Sequence, residues 1–513
     1  MKKKLFLLLV CSLTALYSVS QNSGTCGENL TWSFDRETET LTISGTGEMA
    51  DYLITSYSEI PWYAIRTQIM RVKIEDGVTS IGNCTFYGCI NLISMQISNS
   101  VTRIGYFAFI WCAGLSSVTI PKSVTEIGVY TFYGCTGLLS IEAENTNPSY
   151  ASEDGILFDK EKNTLIFCPA GKAGSLTIPN GVTKIGNYAF SECAGLVSIS
   201  IPNSVTHIGY SAFYGCTGLS SIIIPNSVTT IENYAFSDCT GLASIHISNN
   251  VTRIGDWTFS NCYDLASIDI PNGVTSIGNF TFSNCIGLTS ITLPNTMASM
   301  GDGVFEYCIG LTSITLHNIL TNIGDGTFSG CSDLISINIP ESVASIGDYA
   351  FYQCSSLTSI TLPNSLTSIG DYSFYQCSSL TSIINWNPVP VDLDDSVFHE
   401  VDKTACILSV PEGAVDLYQQ AEVWGEFQVM AIKGTNIQEI PVINAIQIYP
   451  NPVAASFRIR GIEENTMVTV WDLSGRMVLQ QIVNPAEAIE VANLPKGLYL
   501  VNVMGKTGRL MKK

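Results

Sequence analysis

The residues able to do chemistry in this chain are seventeen cysteines, 44 acidic residues and four histidines. Twelve of the cysteines fall at 89, 112, 135, 193, 216, 239, 262, 285, 308, 331, 354 and 377. Every step is 23 residues except 135 to 193, which is 58, one period with 35 residues added. One thiol per period is a poor metal set. Zinc takes four ligands at tetrahedral corners and often draws them from C-x-x-C pairs, and the chain contains no such pair. Disulfides between successive periods are the more serious alternative in an oxidising compartment. Stacked units bring Cα atoms into bridging range, but their Cβ atoms point the same way, which strains a bridge. The expectation is therefore a column of buried free thiols acting as small apolar residues. Cys26, Cys84, Cys168 and Cys406 stand outside the column and have no evident pairing.

Signals of catalysis are absent. The histidines His207, His246, His317 and His399 sit in no motif, and there is no G-x-S-x-G, no H-E-x-x-H and no phosphate loop. No catalytic residue, metal site or cofactor is predicted. Asp256, Asp302, Asp325, Asp348 and Asp371 share one offset, after a glycine, and the last four stand one period apart. Calcium would relieve their repulsion only with several oxygens per unit, so solvated carboxylates are expected. A row of basic character, Arg103, Lys184, His207 and Arg253, occupies another offset in the first half of the array.

Recognition is the remaining chemistry. A serine recurs at one outward strand position from Ser94 to Ser382. Two residues on, the side chain varies: Gln96, Thr119, Glu142, Ser200, Ile223, His246, Asp269, Thr292, Thr315, Asn338 and Thr361. Variation beside fixed neighbours marks these residues as the candidate ligand face. Their hydroxyls and low charge suit a broad polar surface for an extracellular protein or glycan rather than a deep pocket.

The elements that must position this face follow from the period. Phenylalanine stands three residues before each column cysteine, from Phe86 to Phe374, and isoleucine eight before, with Met300 the one exchange. Such self-similarity means a solenoid of units that cannot bury their own apolar faces. In one unit, Leu357, Ile360 and Leu362 form a strand, Pro363-Asn364 a turn, and Leu366 and Ile369 a second extended piece. Gly370 is expected to permit a tight turn, and Tyr372 to Cys377 to form a loose helical turn. Glu232 takes the glycine's place in one unit. Stacked strands should make a parallel sheet with coils ~4.8 Å apart. The 35 extra residues hold Ile156-Leu157-Phe158 and Thr164-Leu165-Ile166-Phe167, a β-hairpin expected to project from the array, in an insert near 143–175.

Composition fits this picture. Hydrophobic residues are 46% and charged residues only 13%, about half the roughly 25% usual in soluble domains. That excludes disorder and coiled coils. A net charge of −20 argues against nucleic acid and anionic lipid. Residues 1–20 read as a secretory signal peptide, with Lys2, Lys3 and Lys4, an apolar stretch from Leu5 to Leu16, and cleavage between Ser20 and Gln21. The stretch is too short to span a bilayer, a lipoprotein site at Cys11 is disfavoured by Val10, and no transmembrane span is expected in the mature chain. Residues 21–70 should cap the solenoid, the alternation over 30–47 giving two strands. Residues 386–433 should cap its other end, with Leu417, Tyr418, Ala421 and Trp424 at helical spacing. Residues 434–443 form a linker, and 444–513 alternate as a small β-sandwich.

The repeat residues resemble a known family. Ile199-Ser-Ile-Pro-Asn-Ser-Val-Thr-His-Ile-Gly-Tyr-Ser-Ala-Phe-Tyr-Gly-Cys216 is similar, almost position for position, to the BspA-like leucine-rich repeat, over residues 71–385. Cys26 to Trp32, Leu41 to Gly47 and Pro61-Trp62 resemble that family's N-terminal cap. Tyr449-Pro450-Asn451-Pro452, Asp472-Leu473-Ser474-Gly475-Arg476, Gly497-Leu498-Tyr499-Leu500-Val501 and Met511-Lys512-Lys513 resemble the C-terminal sorting domain of the type IX secretion system. Asp395-Ser396-Val397 resembles a bacterial O-glycosylation site. The resemblance implies a mainly β fold, a leucine-rich-repeat solenoid of 23-residue repeats followed by an immunoglobulin-like β-sandwich. It implies a Bacteroidota surface or secreted protein, with 444–513 engaging the secretion machinery. It further implies adhesion to protein or host matrix. A passive surface spacer and a glycan-capturing accessory protein are the alternatives.

Overall fold

The computed structural model describes residues 22–432 and, beyond them, 447–449, 453, 455–460, 466–472, 477–484, 488–503 and 506–512. The predicted leader with Cys11, Ser20 and Gln21, the linker 434–443, and Pro450, Asn451, Pro452, Leu473, Ser474, Gly475, Arg476 and Lys513 lie outside the described residues. The chain divides into two compact units, Met1–Ile432 and Lys433–Lys513.

The larger unit is a solenoid with three walls. The first is built from strands such as Ser221–Ile223 and Ser244–His246, each with its isoleucine buried and its neighbours outward. Partners lie 23 residues apart in parallel register, Ser221 with Ser244 and Ile223 with His246. The second extended piece becomes a second parallel sheet. Ile185, Ile208, Ile231 and Ile254 pair in succession within a nine-stranded sheet. The second-wall strands turn one isoleucine or methionine inward, so a two-residue strand suffices once its neighbours supply the ladder.

The third wall departs from the expected helical turn. Phe280, Phe282 and Asn284 donate their N–H groups to the carbonyls of Asp302, Val304 and Glu306 on the next coil, at 2.7–2.9 Å. The first and last of these three donors are left-handed. Phe280 has φ 53° and Asn284 φ 59°. Bulky side chains rarely adopt this region, and the inter-coil ladder, which satisfies otherwise buried backbone groups, holds them there.

Glycine's role at the second-wall turn also differs from the expectation. Gly347 and Gly370 do not have positive φ. A Cβ there would lie under 3.0 Å from Asp325 Oδ1 or Asp348 Oδ1. The glycine makes room for the preceding coil rather than for a tight turn.

Inside, the phenylalanines stack face to face from coil to coil, with centroids 4.9 Å apart for Phe213–Phe236 and 5.6 Å for Phe282–Phe305. At the N-terminal end, the predicted hairpin Leu30–Asp35 with Thr40–Gly45 is present, and its second strand pairs in parallel with Arg71–Ile74. Trp62 continues the ring column onto Phe86 at 5.8 Å. At the other end, Phe374 stacks on Phe398, which meets Trp424 edge-on. Tyr418 and Trp424 are buried as expected, but the helix is short, Val415–Gln420, and Leu417 is 50% exposed. Two further parallel strands, Ile407–Pro411 and Gln428–Ile432, extend the first wall. Their spacing breaks the period, which hid them from the repeat pattern.

The insert does not project. Ile156–Asp159 and Thr164–Phe167 form the expected hairpin, but Thr164–Phe167 pairs in parallel with Lys184–Ile185 and so becomes part of the second wall. Leu157 packs with the core on the N-terminal side, and Ile156 and Phe158 with the core that follows. Burial of these side chains joins the two halves of the array.

Among its described residues, the smaller unit shows two antiparallel sheets. One holds Gln447–Tyr449, Ser456–Arg460 and Ile489–Glu490, and the other Met477–Val483, Thr466–Asp472, Gly497–Val503 and Lys506–Lys512. Phe457 and Ile459 from the first share a core with Val468, Val470, Val501 and Leu510 from the second.

Candidate functional site

The candidate face is the outward side of the first wall. Gln96, Thr119, Glu142, Ser200, Ile223, His246, Asp269, Thr292, Thr315 and Asn338 are exposed, and Thr361 is half-buried. Parallel register turns them into rows. Ile223, His246, Asp269, Thr292 and Thr315 are successive partners, as are Asn338 and Thr361, and Thr119 and Glu142. Glu142 is not open to a ligand in the same way. Its carboxylate accepts hydrogen bonds from Ser140 at 2.6 Å and from Ser152 of the insert at 2.9 Å.

One stretch of this face is concave. Ser200, Ile223 and His246 line a groove of about 580 Å³ together with Ser198, Ser221 and Asn226. Ile223 is 69% exposed within it. The outward row omits Asn226 and its equivalent Asn203, which also lines the groove. Both follow the proline that ends a strand, a fixed offset that would have found them.

The thiols are structural, as expected, though with more than an apolar role. All sixteen described cysteines are free and buried, Cys26, Cys84, Cys168 and Cys406 included. Cys216, Cys308 and Cys331 donate to the carbonyls of Phe190, Phe282 and Phe305 at 3.1 Å, and the same bond recurs along the column. The carbonyl served belongs to the preceding coil, so each thiol ties two coils together. Burial pushes the thiols of Cys135, Cys285 and Cys377 up to about 12, because desolvation disfavours the thiolate. Protonated and enclosed, they are poor nucleophiles.

The aspartate row is likewise part of the frame. Asp325, Asp348 and Asp371 each give their N–H to the carboxylate one coil before, at 2.8–3.0 Å. Asn233, Asp256 and Asn279 accept the same bond. These side chains staple coils rather than remaining purely solvated. Among the described residues no cluster of three or more His, Cys, Asp or Glu is placed to hold a metal ion. In the basic row, Arg103 lies 3.4 Å from Asp51 and His207 2.8 Å from Glu232.

Comparison with known proteins agrees with this geometry. The BspA type leucine rich repeat region matches residues 62–153, 163–289 and 275–403. The chain belongs to the BspA-type leucine-rich repeat family. A secretion system C-terminal sorting domain matches residues 447–513. Solved structures similar to this chain include a leucine-rich repeat protein from Eubacterium ventriosum, 27% identical over 74% of this chain and 99% of that one, with a TM-score of 0.45. A leucine rich cell surface protein from Faecalibacterium prausnitzii is 28% identical over 72% and 96%, TM-score 0.44. A leucine-rich repeat protein from Bacteroides ovatus is 25% identical over 79% and 99%, TM-score 0.48. No curated protein matches. The sorting domain is of the type IX system and directs the chain to the outer-membrane surface or the extracellular space. No helix among the described residues is long and apolar enough to cross a membrane.

Proposed function

We propose that this secreted leucine-rich-repeat protein is an adhesin that binds an extracellular protein, such as a host matrix component, through the outward face of the first wall. The observation that carries the reading is the groove at Ser200, Ile223 and His246, with an exposed isoleucine among hydroxyl and carboxamide groups. An apolar anchor ringed by polar groups is the anatomy of a protein-binding hot spot. Binding needs no catalytic group, and the free thiols and stapled carboxylates of the array are engaged in holding it together. Residues 444–513 serve export.

The test uses the mature chain on a panel of matrix proteins and mucins. Saturable binding to one component is expected. Ile223→Asp should weaken it about tenfold or more, the loss expected at a hot spot. Thr292, Thr315 and Thr361 substitutions then map how far the interface runs along the row. No saturable binding favours a passive spacer, and binding that ignores all four positions sinks the first-wall site.

A further inference from the structure

One coil boundary lacks both parts of the staple described above. Of the twelve repeats, eleven place glycine after the second-wall isoleucine or methionine, and position 232 is glutamate. At eight of these eleven that glycine leaves room for an asparagine or aspartate from the preceding coil, as Gly255 does for Asn233 and Gly347 for Asp325. At the boundary before Glu232 the corresponding residue is Tyr210. Tyr210 donates its N–H to Asn187 Oδ1 at 3.1 Å, but its side chain offers Asn233 no carboxamide or carboxylate in turn. A side chain stands at 232 in place of glycine, and a cleft of about 330 Å³ opens there.

The cleft collects complementary groups. Tyr210, Thr230, Glu232, Thr252 and Arg253 line it. His207 Nε2 lies 2.8 Å from Glu232 Oε1. Arg253 is 62% exposed at its side chain, only 3.9 Å from Asp256. The Tyr210 ring is held rigid between Tyr188 at 5.5 Å and Tyr234 at 5.3 Å, within a run of half-buried rings that continues to Trp257 and Phe280.

We propose that this cleft binds a neutral saccharide, at a site separate from the first-wall groove. A sugar hydroxyl both donates and accepts. Glu232 accepts, Arg253 donates and the threonine hydroxyls do either, so adjacent sugar hydroxyls find partners on every side. Glu232 and Asp256 set two carboxylates around Arg253, which disfavours an anion, while the exposed Arg253 guanidinium opposes a cation. An anion meets Glu232, and a cation meets Arg253. Tyr210 lines the cleft and supplies aromatic surface beside the C–H side of a sugar ring. The volume lies at the small end of the roughly 300–1,000 Å³ range of ligand clefts, which suits one or two rings of a longer chain passing through an open site.

The experiment titrates the full mature chain with neutral gluco-, manno- and galacto-oligosaccharides by calorimetry. Saturable binding to at least one series is expected. Glu232→Gly installs the residue of the other eleven coils, so the variant folds, and it should weaken binding about tenfold or more through loss of a charged hydrogen-bond partner. Arg253→Ala should do the same, while Ile223→Asp should leave saccharide binding intact. No binding by any series overturns the proposal. So does binding that survives both Glu232→Gly and Arg253→Ala, or a protein ligand alone that depends on Glu232.

Discussion

The third wall and the first wall of the solenoid obey opposite rules. On the third wall the side chains repeat because their neighbours are copies of themselves. Phe282 lies 5.5 Å from Phe259 and 5.6 Å from Phe305, and each column thiol from Cys216 to Cys377 donates to a carbonyl 26 residues back. A ring or thiol of different size there disturbs two interfaces at once. On the first wall the outward row faces water, and isoleucine, histidine, aspartate and threonine follow one another in register, through single bridges at Asp269. Chemical freedom in this array is therefore greatest where the neighbour is solvent, and that is where recognition can be written.

The contrast is sharpest at high pH. Unfolded thiols ionise near 9.0, whereas burial holds Cys135, Cys285 and Cys377 up to about 12. The folded chain keeps protons that the unfolded chain releases. The stabilisation is thus full below about pH 9 and is lost as pH rises through about 12. The urea midpoint should stay level up to about pH 9 and then fall steeply, and a flat profile through about pH 11 would contradict buried, protonated thiols. Next in size, Phe282→Ala should cost about 3–5 kcal/mol, as large-to-small changes of buried aromatics do. Hydrogen exchange should show the loss concentrated in the coils on either side. The smallest effect belongs to the first wall. Thr315→Ala should change stability by less than about 0.5 kcal/mol in the same urea titration. A loss there comparable with that of Phe282→Ala would erase the distinction between the walls.

Much of the fold was legible because the period is strict. Cys216 to Cys239 to Cys262 at 23 residues implies one coil each, and phenylalanine three before each cysteine implies a ring column. Elements that leave the period were harder to see. Leu408 and Val429 align with Ile383 at spacings other than 23, so the last two strands read as irregular cap. The insert carried its hairpin signal, but nothing local says that Thr164 pairs with Lys184. Of the candidate face, the exposed row was visible, while the groove at Ile223 was not, since curvature is a property of several coils together.

The amino-acid sequence by itself determined the coil, the inward and outward positions, the free-thiol column and the sorting domain, because each depends on residue type at a fixed offset. Only the tertiary structure decided what each offset is for. The glycine before Asp348 looks like a turn residue until Asp325 of the coil before is seen to need its space. The cysteine looks like a small apolar filler until its thiol is found on a phenylalanine carbonyl 26 residues away. In both cases the partner lies one coil away, and contacts between coils exist only once the coils are stacked.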